Sequence, residues 1–218
     1  RHLTANGHEV VAVASRSMYG EKGSTLPRRE TVDGIEIHRV GKSLFGKAGI
    51  LARLVDFLLF YVAATIRVFT MKRPDVIVCF TTPPFIALVG WLVRLFRRSK
   101  YVYWVMDVYP DIAVACGVMK ERSLLTRFFD GLNRFCLRKA DAVVVLGRCM
   151  QSRILDKGID PRRVTHIGVW SDQDEVKPIE RMANPYRAEW ALGDRFVVMY
   201  SGNFGLGHDV RTMLDAAK

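Results

Sequence analysis

Short apolar runs and longer amphipathic stretches alternate along this chain. The runs at Glu9–Ala14, Ile35–Val40, Val76–Phe80, Tyr101–Met106, Ala142–Leu146, Val164–Ile167 and Phe196–Tyr200 are rich in valine, isoleucine and aromatic residues. Such runs predict strands covered on both faces. Helical periodicity lies between them, near 48–71, 85–98, 122–139, 148–157 and 209–217, with a short helix near 186–191. Strand and helix in alternation predict an α/β fold on a doubly wound parallel sheet. The opening Arg1–His8 reads as the last turns of a helix stopped at Gly7. A polar loop over Gly20–Arg29 precedes Asp33-Gly34, a turn signal. The polar stretch around Gly168–Asn184, with Pro178 inside it, reads as a connection between domains. The pattern therefore predicts a first domain over 1–168, a connection over 169–184, and the start of a second domain over 185–218.

Composition narrows the class. The chain has 218 residues, half of them hydrophobic and 25% charged, which is ordinary for a globular protein. The four cysteines are widely spaced, with no CxxC pair, so neither structural zinc nor a disulfide framework is expected. The histidines are scattered, and no metal-ligand spacing stands out.

The net charge of +11 is concentrated. Between Lys42 and Lys100 the acids are Asp56 and Asp75, against ten lysines and arginines, and this basic part is also the most apolar. Basic residues beside apolar ones favour an anionic membrane surface over nucleic acid, and no nucleic-acid motif is present. The alternative is a solvated basic face over a buried apolar one. The helix near 48–71 is too short in its uncharged part, Phe57–Ile66, to span a bilayer, which takes about 20 apolar residues. It either packs on the sheet, lies in the membrane interface, or does both.

Ligands of open α/β sheets sit beyond the carboxyl ends of the strands, and here three such ends carry chemistry. Thr81 and Thr82, ahead of Pro83-Pro84, can cap the next helix or touch a substrate. Asp107, Tyr109 and Asp111 follow a strand expected to be central. Asp107 can orient or deprotonate a hydroxyl, or simply fix a turn, and Asp111 can cap a short helix. The last is Gly202-Asn203-Phe204-Gly205-Leu206-Gly207-His208, between a strand and a helix N-terminus. Free backbone N–H groups and the helix dipole make such a turn a phosphate site. Its spacing is neither the dinucleotide fingerprint nor a P-loop, so a bare turn is the competing reading.

Taken in order, several segments resemble the family 4 glycosyltransferases of GT-B fold that act in bacterial O-antigen, capsule and exopolysaccharide assembly. The carriers are Asn6–Val10, Arg73–Ile77, Thr81–Phe85, Asp107–Asp111, Arg138–Ala142, Trp170–Asp172 and Tyr200–Gly205. The resemblance implies two Rossmann-like domains facing a cleft, the first binding the acceptor and the second a nucleotide-sugar donor. It implies retaining sugar transfer with no metal or other cofactor. The acceptor is expected to be polyprenyl-linked or another glycan, and the enzyme peripheral on the cytoplasmic face of the inner membrane, attached through 44–72 and 85–100. By resemblance, Asp107 is the catalytic residue, and Thr81, Thr82, Tyr109 and Asp111 lie on the acceptor side. Gly202, Asn203, Gly205 and His208 bind the donor diphosphate, and Trp170 and Asp172 form the hinge. The family's first strand is expected before Arg1 and its paired glutamates beyond Lys218, so the chain reads as a fragment that is inactive alone. Two departures concern charge and sugar contact: Asn203 and His208 stand where relatives carry Arg and Lys, and Val169 stands where they often carry Asn. A non-catalytic, membrane-associated nucleotide-sugar-binding or scaffold protein of the same fold is the alternative function, and a nucleotide-sugar epimerase a further one.

Overall fold

The structure, a computed structural model, describes residues 1–17, 26–41, 50–170, 177–202, 205 and 208–217, with backbone alone over 50–54. In chain order the elements are α1 (His2–Ala5), β1 (Val10–Ser15), β2 (Arg29–Val32), β3 (Ile35–Val40), α2 (Ile50–Thr70), β4 (Val76–Cys79), α3 (Ala87–Arg97), β5 (Lys100–Val105), α4 (Asp111–Ala115), α5 (Leu124–Lys139), β6 (Ala142–Val145), α6 (Arg148–Asp156), β7 (Val164–His166), α7 (Pro185–Glu189) and α8 (Val210–Ala216).

The expected α/β alternation is present, and the expected parallel pairing dominates. The strands fall into two sheets: β1-β3-β2, and β4-β5-β6-β7 with every neighbour parallel. Helices α2 and α3 join them. Val68, Val89 and Val93 form one buried cluster, against which both Val13 of β1 and Ile77 of β4 pack. The main core lies under the larger sheet. Tyr101, Tyr103 and Val105 alternate along β5 and meet Ala87, Cys136, Leu137 and Ile154 from the helices. Gly90 lets α3 sit close to the sheet, since a Cβ there would fall 2.6 Å from the Tyr101 ring and 2.7 Å from the Cys79 sulfur. Burial pushes the Cys79 and Cys136 thiols up to about 12, so both behave as small apolar groups.

Two segments differ from the sequence reading. Strand β2 was not expected, because Arg29-Glu30-Thr31-Val32 is mostly polar. It forms an edge strand, where one row of backbone groups and both faces can meet water. It is antiparallel to β3 across Asp33-Gly34, where both residues have positive φ (51° and 76°), as a two-residue hairpin turn requires. Conversely, Phe196–Tyr200 forms no strand, and Phe196 and Val198 are exposed. A strand is held by pairing, which a local pattern cannot reveal. Among the described residues after 169 there is no other strand to pair with it.

The basic region also differs in detail. Arg94 forms two hydrogen bonds to Asp141 at 2.8 and 3.1 Å, and Lys72 pairs with Glu9 at 2.6 Å. Arg97 donates to the carbonyls of Val68 and Met71 at 2.6 and 2.9 Å, capping the end of α2. Much of that charge therefore braces the fold. The exposed side of α2 is apolar instead. Val55, Leu58, Leu59, Val62 and Ile66 form one stripe at helical spacing, while Ala64 and Val68 on the other side are buried.

Candidate active site

The strands β4 and β5 end side by side, with Cys79 opposite Tyr103. Their loops meet through Thr81. Its side chain is fully buried, and its hydroxyl oxygen accepts from the backbone N–H groups of Met106 at 3.3 Å and Asp107 at 3.1 Å. Thr81 thus clamps the two strand ends together and does not cap α3. Thr82 beside it is exposed.

Asp107 is half-buried just past the end of β5. Its carboxylate has no hydrogen-bond or ion-pair partner among the described residues, in contrast to its anchored backbone. Tyr109 lies close by. Burial raises the pKa of its phenol, and the negative charge of Asp107 raises it further. The turn is held from below by Asn133, which reaches from the middle of α5 to donate to the Tyr109 carbonyl. A fixed backbone with an unspent carboxylate is a preorganised acceptor for a substrate hydroxyl.

Asp111 is placed differently. Its carboxylate accepts from Lys157 at 2.7 Å, and Arg153 stands 3.7 Å away. Lys157 is itself buried and bridges to Asp130 at 2.6 Å, which Arg134 also holds at 2.7 Å. Burial pushes the Asp130 carboxyl up, but hydrogen bonds and charge from Lys157 and Arg134 outweigh it and hold the group below the usual range. These groups line a cavity of about 590 Å³ among α4, α5 and α6. Asp111 therefore ties the turn to the helix layer.

Trp170 of the expected hinge is 68% exposed, yet its ring lies 5.9 Å from that of Trp104, which lies 5.6 Å from Phe80. These rings form an aromatic file across the sheet towards the ends of β4 and β5. Asp172 and Asn203 lie outside the described residues. In the glycine turn, Gly202 has a φ of 155°, and the His208 ring accepts from the Gly205 N–H through Nδ1 at 2.9 Å. That bond leaves the proton on Nε2, as a donor. Asp209 caps α8, accepting from the Thr212 N–H at 3.2 Å.

The structure thus brings Thr81, Thr82, Asp107 and Tyr109 into one place and engages Asp111 elsewhere. Gly205 and His208 are bonded to each other. Asn133 and Lys157 escape sequence reasoning. The one available signal is a polar residue on the apolar side of α5, and no spacing rule links either to the turn.

Residues 1–170 match the glycosyl transferase 4-like domain. The chain belongs to this glycosyltransferase family. Among curated relatives, the chain is 33% identical over 168 residues to the probable glycosyltransferase WbjE of Pseudomonas aeruginosa, covering 76% of itself and 41% of WbjE. It is 23% identical over 230 residues to the putative colanic acid biosynthesis glycosyl transferase WcaI of Escherichia coli K12, covering 99% of itself and 56% of WcaI. It therefore spans about half the length of the curated relatives it matches. Among solved structures it is similar to Anabaena HepE, crystallised in complex with UDP-glucose. The TM-score is 0.47 at 13% identity, over 75% of this chain and 38% of HepE. The family match includes the Thr81 and Asp107 turns and ends at Trp170, before the glycine turn.

Proposed function

We propose that the chain forms the acceptor side of a retaining glycosyltransferase, which moves a sugar from a nucleotide-sugar donor to a polyprenyl-linked or other glycan acceptor in bacterial surface polysaccharide synthesis. The observation that carries this reading is Asp107. It offers a carboxylate without a partner on a clamped turn, at the carboxyl end of an inner strand, within the span of the family match. In this role Asp107 accepts a hydrogen bond from the attacking acceptor hydroxyl and orients or deprotonates it. Thr82 and Tyr109 flank the hydroxyl-bearing group, and Thr81, Asp111 and Asn133 keep the turn in place. The turn containing Gly202, Asn203, Gly205 and His208 receives the donor diphosphate through backbone N–H groups and the His208 Nε2–H, with no metal required. Trp170 and Asp172 serve as the hinge between the two sides.

The same proposal places the protein on the cytoplasmic face of the inner membrane through 44–72 and 85–100. The exposed stripe of α2 supports it, with Leu58 and Val62 about three-fifths exposed. No helix among the described residues is long and apolar enough to cross a membrane.

The decisive experiment is sugar transfer by the native protein carrying Asp107→Asn. Transfer falls by about a hundredfold or more, the scale of a lost acid–base group, while thermal stability is unchanged. Unaltered transfer removes Asp107 from the reaction. Membrane attachment is tested separately by sedimentation with anionic liposomes at low salt. Failure to co-sediment removes that part of the reading and leaves the transferase part standing.

A further inference from the structure

A second cavity, of about 510 Å³, opens between the β1-β3 sheet and α2. Among the described residues its wall carries Arg16, Arg28, Arg39 and Arg67 and no acidic residue. Arg16 directly follows β1, Arg28 directly precedes β2, Arg39 lies near the end of β3, and Arg67 projects from α2. The carboxylate bonded to this group is Glu30, which engages Arg39. Arg16 spends Nε on the Leu26 carbonyl at 3.3 Å, and Arg39 spends Nη1 on the Pro27 carbonyl at 3.3 Å. Arg28 has no side-chain partner among the described residues. Arg67 places Nη2 3.1 Å from His38 Nε2, which itself lies 2.8 Å from Glu36. The Nε of Arg67 is buried with no hydrogen-bond partner.

With Glu30 on Arg39 as the one bonded carboxylate among the described residues, the gathered cations repel one another, and a buried N–H left without an acceptor is destabilising. Both costs vanish with one ligand: an oxyanion whose several oxygens accept from several guanidinium forks. We infer that this cavity binds a phosphate or diphosphate group. The inference needs neither Asp107 nor the glycine turn. It also fits the rim, since Ile66 of the exposed α2 stripe lines the cavity. A soluble phosphate compound and a phospholipid headgroup at a bilayer surface would present the same group.

The test uses the purified chain, inorganic pyrophosphate measured by calorimetry at low salt, and vesicles of phosphatidylcholine with or without phosphatidylglycerol. Arg28→Glu is the main variant, because the Arg28 side chain has no partner among the described residues. Arg16→Gln is the second, and Arg122→Glu on the exposed α4–α5 corner is the control for general charge. Pyrophosphate binding that falls about tenfold or more in Arg28→Glu and Arg16→Gln, and stays intact in Arg122→Glu, supports the site with a soluble ligand. Absence of pyrophosphate binding, with phosphatidylglycerol-dependent vesicle binding that shows the same pattern, supports it with a headgroup as ligand. Binding to neither probe, or equal losses in Arg28→Glu and Arg122→Glu, overturns it. Loss of transferase activity in Asp107→Asn has no bearing on any of these outcomes.

Discussion

Replacing glycine by alanine is expected to have opposite effects at two helical positions in this protein. At Gly90 the added methyl would lie 2.6 and 2.7 Å from two carbons of the Tyr101 ring and 2.7 Å from the Cys79 sulfur. Ordinary contacts begin near 3.4 Å, so the neighbours must yield by more than half an ångström. They cannot yield easily, because Tyr101 is fully buried and Cys79 nearly so. Overpacking of this kind costs about 1–3 kcal/mol, and the lack of room puts Gly90 near the top of that range. Helix propensity returns about 1 kcal/mol. The net expectation for Gly90→Ala is a loss of about 2 kcal/mol. Gly131 lies inside α5 with nothing within 4 Å of a built Cβ, so Gly131→Ala gains up to about 1 kcal/mol from propensity alone. Urea unfolding followed by far-ultraviolet circular dichroism measures both. Equal stability of the two variants, or a Gly90→Ala midpoint at the wild-type value, would refute the close packing of α3 on β4 and β5.

Two further outcomes follow from the ion pairs. Lys157→Met leaves Asp111 and Asp130 facing each other without their shared cation. Removing one partner of a buried pair costs about 3–5 kcal/mol, but these carboxylates are 24% and 29% exposed, so about 2 kcal/mol is expected in urea unfolding at neutral pH. A change below about 0.5 kcal/mol would show that water already screens the cluster. Asp141 gives the acid dependence. The Arg94 hydrogen bond, aided by the Tyr101 N–H, holds its carboxyl below the usual range against a smaller upward push from burial. A depressed carboxylate contributes stability that is full above the unfolded value, about 3.9, and is lost as pH falls through the folded value. Asp141→Asn is therefore less stable than wild type at pH 7 and loses less on acidification from about pH 5 to 3. Parallel melting curves across that range would exclude the assignment.

Much of the fold was legible because most strands are continuous apolar runs, as Val143, Val144 and Val145 of β6 show by being buried. Where burial and periodicity part company, legibility ends. Glu30 and Thr31 look like loop residues because β2 needs no buried face, and Phe196–Tyr200 looks like a strand although pairing decides. The Asp107 and Thr81 turns could be located from the rule that ligands gather at carboxyl ends of strands. Their supports could not. Lys157 lies 46 residues from Asp111, and Asn133 lies 24 from Tyr109, distances over which no local pattern operates. Asp111 shows the limit well. It lies only four residues from Asp107, yet a buried lysine from the end of α6 claims one carboxylate and leaves the other without a partner among the described residues.

Among the described residues, the division of the strands into two sheets leaves β4 paired with β5 alone and β1 with β3 alone. Along the outer edge of each, alternate amides have no ladder partner. Those amides are expected to exchange with deuterated solvent faster than their neighbours one residue away, which bond inward. Both edges belong to parallel strands on the same helix layer. An extended peptide laid along either edge meets a row of donors and acceptors already oriented for strand addition.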